Sequence, residues 1–375
     1  MKHTILSYSD KLFTPSESFI PRAYKAFDAL KPVFIGHDRK GPTPEGFEAL
    51  ELDAFHGPLG ATGFKQFGLI SAELEATLRR LDPVAIHANF GKSGAYALPL
   101  AHKLNLPLIV TYHGGDATKH SNTKDSRLRI YNRRRKALWD EAALLLPVSD
   151  FIRRELLTHG APGEKMVVQH NGVDPAKFTP GEKQNVLLFA GRWTEKKGIE
   201  TLIRALTKID RAIVSDWRIR LLGDGDLKSK LLPLLNEAGV NAELPGWIPA
   251  DDMPRYFEEA AIVCVPSNRA ASGDAEGLPM VCMEAMFAGC ALAATAHAGI
   301  PECVVNGETG YLVEERDADA LAERLSGLMA NPDRTRQMGE AGRARAMDHF
   351  NLNTQSARLQ DLIMSAAQTA GTLPF

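Results

Sequence analysis

The chain has 375 residues, 44% of them hydrophobic, and a formal charge of −2 at pH 7, enough apolar sequence for two ordinary domains. That charge speaks against a nucleic-acid binder, and no run approaches 18 apolar residues, so no membrane span is expected. The charge is uneven: residues 1–179 carry 24 Lys and Arg against 19 Asp and Glu, and residues 180–375 carry 20 against 27. A mildly basic first half suits an anionic acceptor or a membrane surface. The N-terminal MKHTILSYSDKLF lacks the apolar core of a signal peptide. The four cysteines form no C-x-x-C pair and read as free core thiols of a cytoplasmic protein.

Residues 3–8 (HTILSY) read as a first strand, followed by a Ser/Pro loop and a helix from near Ser16. Further strands are expected at 33–36, 84–89, 107–113, 143–148 and 166–170. Helical patterns lie between them at 71–81, 93–104, 127–141 and 151–159. Strands alternating with helices predict a parallel sheet covered on both faces. Ligands of such sheets bind beyond the carboxyl ends of the strands. Four places meet that rule: the loop 9–18, HANFG at 87–91, TYHGGD at 111–116 and HNGVD at 170–174. His87 reads as a structural histidine or a working one. His113 precedes two glycines, which let backbone come close to a ligand; the alternative is a polar strand cap. The densest basic run, 124–136, puts Arg127, Ile130 and Arg134 on one helical face. It reads as a solvated face or as a contact for anionic lipid or a diphosphate-linked acceptor.

A polar linker is expected at 178–184, where a second alternating series begins. Residues 186–190 form a strand that leads into GRWTEKKG and a helix from Ile199. Arg192 and Lys197 thus sit between a strand end and a helix start, which suits a diphosphate; alone, the run would read as a basic surface turn. A strand at 218–222 precedes Gly223-Asp224-Gly225. Trp247 and Ile248 follow in LPGWIP. A short buried strand at 262–265 leads through a polar loop to Glu276-Gly277-Leu278-Pro279. Pro279 suits the first position of a helix, and Gly289 its C-terminal stop. Between them Met280, Val281, Cys282 and Met283 to Ala288 are apolar on every face except for Glu284, so the helix should be buried. Side chains lean toward a helix N-terminus, so Glu276 and Glu284 flank one anion-friendly helix start. They read as sugar-gripping carboxylates or as a loop acid and a satisfied core acid. A final strand is expected at 307–313, then helices at 317–329, 332–347 and 353–367.

Glu276 and Glu284 stand in an E-x7-E spacing, and the run EGLPMVCMEAMFAGC…GIPE resembles glycosyltransferase family 4, in particular bacterial exopolysaccharide (colanic-acid-type) members. G-R-x4-K-G at 191–198, the Gly223-Asp224-Gly225 turn, T-x-H-G-x-D at 111–116 and N-G-V-D at 171–174 resemble the same family, as does Ser16-Glu17-Ser18-Phe19. The glycine pair that many relatives carry in the first loop is missing here. The resemblance implies an α/β GT-B architecture of two doubly wound Rossmann-like domains facing a cleft. It implies an N-terminal acceptor domain at 1–178, a C-terminal nucleotide-sugar domain at 179–348, and a last helix, 349–375, crossing back to the first.

The activity it implies is retaining hexosyl transfer from a UDP- or GDP-sugar to an acceptor hydroxyl. That acceptor would be a lipid-linked glycan of cell-surface polysaccharide synthesis, met in the cytoplasm or at the inner face of the membrane. Arg192 and Lys197 would clamp the diphosphate, and Glu276 would hold sugar hydroxyls. Glu284 would hold the ribose, the base would lie near Trp247 and Ile248, and His113 would stand beside the transferred sugar. Gly277, Leu278, Pro279, Met280 and Val281 complete the donor site. Ser16, Glu17, His87, Arg127 and Arg134 are candidates for the acceptor or membrane side. Two cations and free amides would meet the leaving charge. With fixed cations in that role, neither a metal nor another cofactor is expected. A sugar-nucleotide 2-epimerase on the same frame and a non-catalytic sugar-nucleotide sensor are the alternatives. A dehydrogenase would want G-x-G-x-x-G after a first strand, and neither half shows it.

Overall fold

Six parallel strands form the main sheet of the first unit in the computed structural model, which describes residues 2–55, 60–122, 129–237, 239–240 and 242–374. Their spatial order is Glu48–Glu51, Leu30–Gly36, His3–Tyr8, Pro83–Asn89, Leu108–Tyr112, Leu144–Pro147. Counted along the chain this is 3-2-1-4-5-6, the doubly wound nucleotide-binding order. The second unit repeats it with Ala242–Gly246, Arg218–Leu222, Gln184–Ala190, Ala260–Val265, Ala291–Thr295 and Gly310–Val313. The central strands are buried on both faces, as their unbroken Val/Ile/Leu/Ala runs require.

Three strands of the two main sheets are missing from the sequence reading. Glu48–Glu51 (EALE) and Ala242–Gly246 (AELPG) are half-exposed edges, and Ala291–Thr295 (ALAAT) has one β-branched residue. None has strong strand propensity of its own; the neighbouring strand supplies it. The expected strand at 166–170 is not one. Val167 and Gln169 donate to the carbonyls of Leu145 and Pro147 at 3.1 and 2.9 Å, but Pro147 has no N–H to return.

The first unit comprises Met1–Gly172 and Leu352–Phe375, and the second Val173–Asn351. The passage between units therefore falls at 172–173 and 351–352 instead of at 178 and 348. Phe178, read as linker, is 2% exposed and packs against Phe257 within the second unit. The last helix, Leu352–Thr369, is part of the first unit's core. Leu359, Ile363 and Ala367 pack with Ile5, Phe34 and Ile109. Gln360 Oε1 accepts the backbone N–H groups of Asp28, Ala29 and Leu30 at 2.9–3.1 Å.

Candidate active site

Loops that follow the second unit's strands hold most of the candidate site residues. After Gln184–Ala190 the chain turns through Arg192 and Lys197 into helix Ile199–Leu206. Buried Trp193 pins this loop: its N–H donates to Asp224 O at 2.9 Å, and its own carbonyl accepts from Leu227 at 3.1 Å. The neighbouring Arg192 side chain is exposed and has no hydrogen-bond or ion-pair partner among the described residues. Gly198 has φ +66°, and a Cβ there would lie 1.7 Å from Pro266 O, so only glycine lets the two loops touch. Asn268 completes the contact as a donor: its N–H donates to Lys196 O at 2.9 Å and its Nδ2 to Glu195 O at 3.0 Å.

Lys197 Nζ lies 2.8 Å from Glu276 Oε1. Burial pushes the Glu276 carboxyl up, but Lys197 and then Lys196 outweigh it and hold it down to about 2. Glu276 is therefore a carboxylate, fit to accept hydrogen bonds and unfit to donate a proton. Its backbone is held too. Glu276 N–H donates to His297 Nε2 at 3.3 Å, and His297 Nδ1–H donates to Glu315 Oε1 at 2.6 Å. Glu315 Oε2 in turn accepts Arg269 N–H at 2.9 Å. This arrangement fixes one neutral tautomer. His297 is 2% exposed, and the next residue, Ala298, is forced to φ +53°. His297 and Glu315 escaped the sequence reading; the only signal was one titratable residue in the apolar run ATAHAGI.

The helix after this loop is Met280–Phe287, with Pro279 as its N-cap, one position earlier than expected, and Gly289 at φ +73° beyond its end. It is not buried all round. Met280, Val281 and Glu284 are half-buried while Cys282, Met283 and Ala285–Phe287 are fully covered. Spacing of one and four residues puts those three on one face, at the end where backbone N–H groups lack helical acceptors. Gly277 and Leu278, just before it, are buried. Trp247 follows strand Ala242–Gly246 and is 65% exposed, so it is not core, and Ile248 is half-buried.

In the first unit His113 follows Leu108–Tyr112. Asp116 accepts the N–H groups of His113, Gly114 and Gly91 at 2.8–3.0 Å, which fixes this turn. The ring packs between Phe19 and Phe90 with centroids 5.0 and 4.7 Å away. Its Nε2 meets Asn89 Oδ1 at 3.3 Å, and Nδ1 has no partner among the described residues. Burial, and His87 after it, push its pKa down to about 3, so the ring is neutral. Phe19, Asn89, Thr111, His113 and His170 line a cavity of about 30 Å³.

Two acceptor-side candidates are occupied structurally. Buried His87 is bonded at both nitrogens, to Tyr24 Oη and Thr111 Oγ1, each at 2.7 Å. Arg134 donates to the carbonyls of Lys65, Gln66 and Ala95 at 2.9–3.1 Å. Pro99 within helix Gly91–Leu104 has no N–H for Ala95 O, and Arg134 fills that vacancy. Ser16 is exposed and Glu17 half-buried in a short 3-10 turn, Pro15–Glu17. Arg127 lies outside the described residues.

Two family models match the chain: Glycosyltransferase Family 4 over residues 22–177 and Glycosyl transferases group 1 over 172–345. The amylovoran biosynthesis glycosyltransferase AmsK of Erwinia amylovora is 30% identical over 83% of this chain and 77% of its own. WcaL of Salmonella typhimurium, named for colanic acid biosynthesis, is 31% identical over 74% and 70%. The chain belongs to the family 4 glycosyltransferases. Among solved structures, Anabaena HepE in complex with UDP and glucose superposes with a TM-score of 0.74 at 19% identity over 97% of this chain and all of HepE. Sucrose-phosphate synthase of Thermosynechococcus elongatus gives 0.73 at 21% identity over 96% and 98%. Both likenesses concern the GT-B fold. As a glycosyltransferase, the protein needs a place where a leaving group's charge can be met. In its second unit all six strand ends feed one set of loops, and Arg192, Lys197 and the start of helix Met280–Phe287 supply positive potential there.

Proposed function

We propose that this glycosyltransferase moves a hexosyl group, with retention, from a nucleotide-diphosphate sugar to a hydroxyl of a lipid-linked glycan. It would do so in cell-surface polysaccharide synthesis, in the cytoplasm or at the inner membrane face. The observation that carries the reading is the ionised Glu276 paired with Lys197, whose loop also carries Arg192, exposed and without a partner among the described residues. As the anomeric C–O bond breaks, negative charge grows on the departing diphosphate. Arg192, Lys197 and the amides at the helix start stabilise that charge. Glu276 and Glu284 accept hydrogen bonds from sugar and ribose hydroxyls, and Trp247 and Ile248 face the base. His113, a neutral ring whose Nδ1 has no partner among the described residues, is the first unit's candidate to meet a sugar hydroxyl. The acceptor hydroxyl attacks on the leaving-group face, and its proton passes to a diphosphate oxygen. The fixed cations take the place a divalent ion would otherwise hold.

AmsK and WcaL are named for exopolysaccharides, HepE is seen with UDP and glucose, and a Mycolicibacterium smegmatis relative, 29% identical over 73% of this chain, is named as GDP-mannose-dependent. UDP- and GDP-sugars are therefore the first donors to try. Calorimetry against UDP-, GDP-, ADP- and TDP-sugars should give one strong binder that Arg192→Ala weakens. Turnover with that donor should survive EDTA. Binding of none, or complete loss with EDTA, would overturn the donor or the metal-free part of the reading.

A further inference from the structure

A second charged cluster stands at the end of the first unit's sheet. Asp10 follows strand His3–Tyr8, and its carboxylate lies between two ammonium groups. Lys65 Nζ is 2.5 Å from Oδ1 and Lys92 Nζ is 3.4 Å from Oδ2. Both ammoniums also approach the ring of buried Tyr96, 5.8 and 5.4 Å from its centroid. Lys92 and Ser93 open helix Gly91–Leu104, and Ser93 Oγ accepts Asp10 N–H at 3.4 Å. Burial pushes the Asp10 carboxyl up, but Lys65 and Lys92 outweigh it, so it stays ionised. One carboxylate cannot neutralise two half-buried cations, and the helix start adds positive potential. Buried Ser9 Oγ has no hydrogen-bond partner among the described residues. Charge held partly out of water is costly until a counter-ion completes it.

Lys65 sits in a short π-helical turn, Gly63–Phe67, that the basic helix Arg129–Glu141 holds in place. Arg134 bonds the carbonyls of Lys65 and Gln66, and Arg133 bonds Gln66 at 2.7 Å. Gly68, at φ +69° and packed on Pro99, caps the end of that turn. On either side of it Phe67 is 65% and Leu69 51% exposed. Two large apolar side chains held out together mark a contact surface. Excess cation and bare hydrocarbon thus lie within five residues of one another.

We propose that Lys65 and Lys92, with Phe67 and Leu69, form a docking site for an anionic amphiphile, the lipid diphosphate that carries the acceptor sugar. This rests on the reading of a lipid-linked acceptor and says where its head and chain lie. Asp10 keeps the two ammoniums in place until the diphosphate arrives. The apolar pair then covers the first carbons of the chain, a recognition that neither a neutral lipid nor a free anion satisfies alone.

Farnesyl diphosphate, which has the head and the chain but no sugar, is the probe, measured by calorimetry on the full chain. It should bind at least about tenfold more tightly than farnesol or inorganic pyrophosphate. Lys92→Gln, Lys65→Gln and the double variant Phe67→Ser/Leu69→Ser should each weaken it about tenfold, while Lys92→Arg and Arg192→Ala keep it. Melting temperatures of all variants separate loss of the site from loss of the fold. Unchanged binding in the Lys and the apolar variants overturns the proposal. So does loss in Arg192→Ala alone, which would put the probe in the donor site. Equal, equally sensitive binding to phosphatidylglycerol vesicles also overturns it, in favour of a bulk membrane surface. No turnover is read, so failure here leaves the donor-site reading standing, and failure of the sugar-nucleotide panel leaves this one standing.

Discussion

The two units share one strand order, yet the loops after their first strands are furnished in opposite ways. In the second unit the chain leaves Gln184–Ala190 through Gly191 and reaches Gly198, which touches Pro266 O so closely that no side chain fits. Its acid, Glu276, comes from another loop and is 8% exposed. In the first unit the chain leaves His3–Tyr8 through Ser9 and Asp10 without a glycine, and the cations come to the acid from elsewhere. The shared sheet decides where a ligand can sit. Loop glycines and the ratio of cations to acids decide what it can be. A loop drawn close by glycine and carrying Arg192 and Lys197 suits a diphosphate held at close quarters, whereas the long lysine side chains around Asp10 suit a headgroup met near the surface.

Breaking the second loop should have the largest effect. Arg192→Ala and Glu276→Ala should each lower turnover at least about a hundredfold if they act in the transition state. Asp10→Asn should leave donor affinity alone. Comparable loss of donor affinity in Asp10→Asn would erase the division between the loops. Because the folded pKa of Glu276 lies below its ordinary 4.5, at about 2, its ion pair is complete above roughly pH 4.5 and fades only as pH falls toward 2. The deficit of Glu276→Gln should therefore be constant from pH 5 to 8. A deficit that varies across that range would mean that the acid titrates during turnover.

Next in size is the chain that holds Glu276 from behind. His297→Ala should lower kcat/KM for the donor about tenfold, since the N–H of Glu276 then loses its acceptor. Glu315, Glu276 and Arg269 all face this imidazole. Burial lowers its pKa, and Glu315 offsets only part of that. A histidine kept neutral in this way gives its full contribution above its unfolded value of about 6.5 and loses it as pH falls below. Protonation would place a second N–H against that of Glu276. The wild-type protein should therefore show an acid limb in kcat/KM that His297→Gln, which can present an oxygen at the same place, removes. A limb that persists in His297→Gln would assign it to another group.

Much of the frame was legible in the sequence. Arg218–Leu222 coincides with its expected strand, and the helices around 72–80, 91–104 and 318–330 fall within a few residues of their patterns. Apolar periodicity is local, so it survives without a structure. What was not legible depends on partners far along the chain. His87 could be structural or working until Tyr24 and Thr111 closed on its two nitrogens. Arg134 looked like part of a solvated or anion-binding face because nothing in a sequence announces that Pro99 leaves Ala95 O without its N–H. The pairing of Lys197 with Glu276 spans 79 positions, and E-x7-E spacing alone gives no hint that one acid is ion-paired and 8% exposed while the other lies on a half-open helix face.

The smallest effect belongs to Trp247, and it sharpens the contrast because its side chain is mostly exposed. At 65% exposure, its removal should change stability by no more than about 0.5 kcal/mol. A base stacked on the indole would contribute about 1–3 kcal/mol. Trp247→Ala should therefore raise the donor KM roughly fivefold or more with kcat and melting temperature unchanged, and Trp247→Phe should recover most of the loss. Every base has a π-face, so the penalty should be similar for UDP and GDP, and any preference between them has to come from hydrogen bonds to the backbone at Ile248. A loss confined to one nucleotide would move the selectivity onto the indole itself. No change in KM would remove the base from this edge of the sheet, leaving the diphosphate clamp to anchor the donor by charge alone.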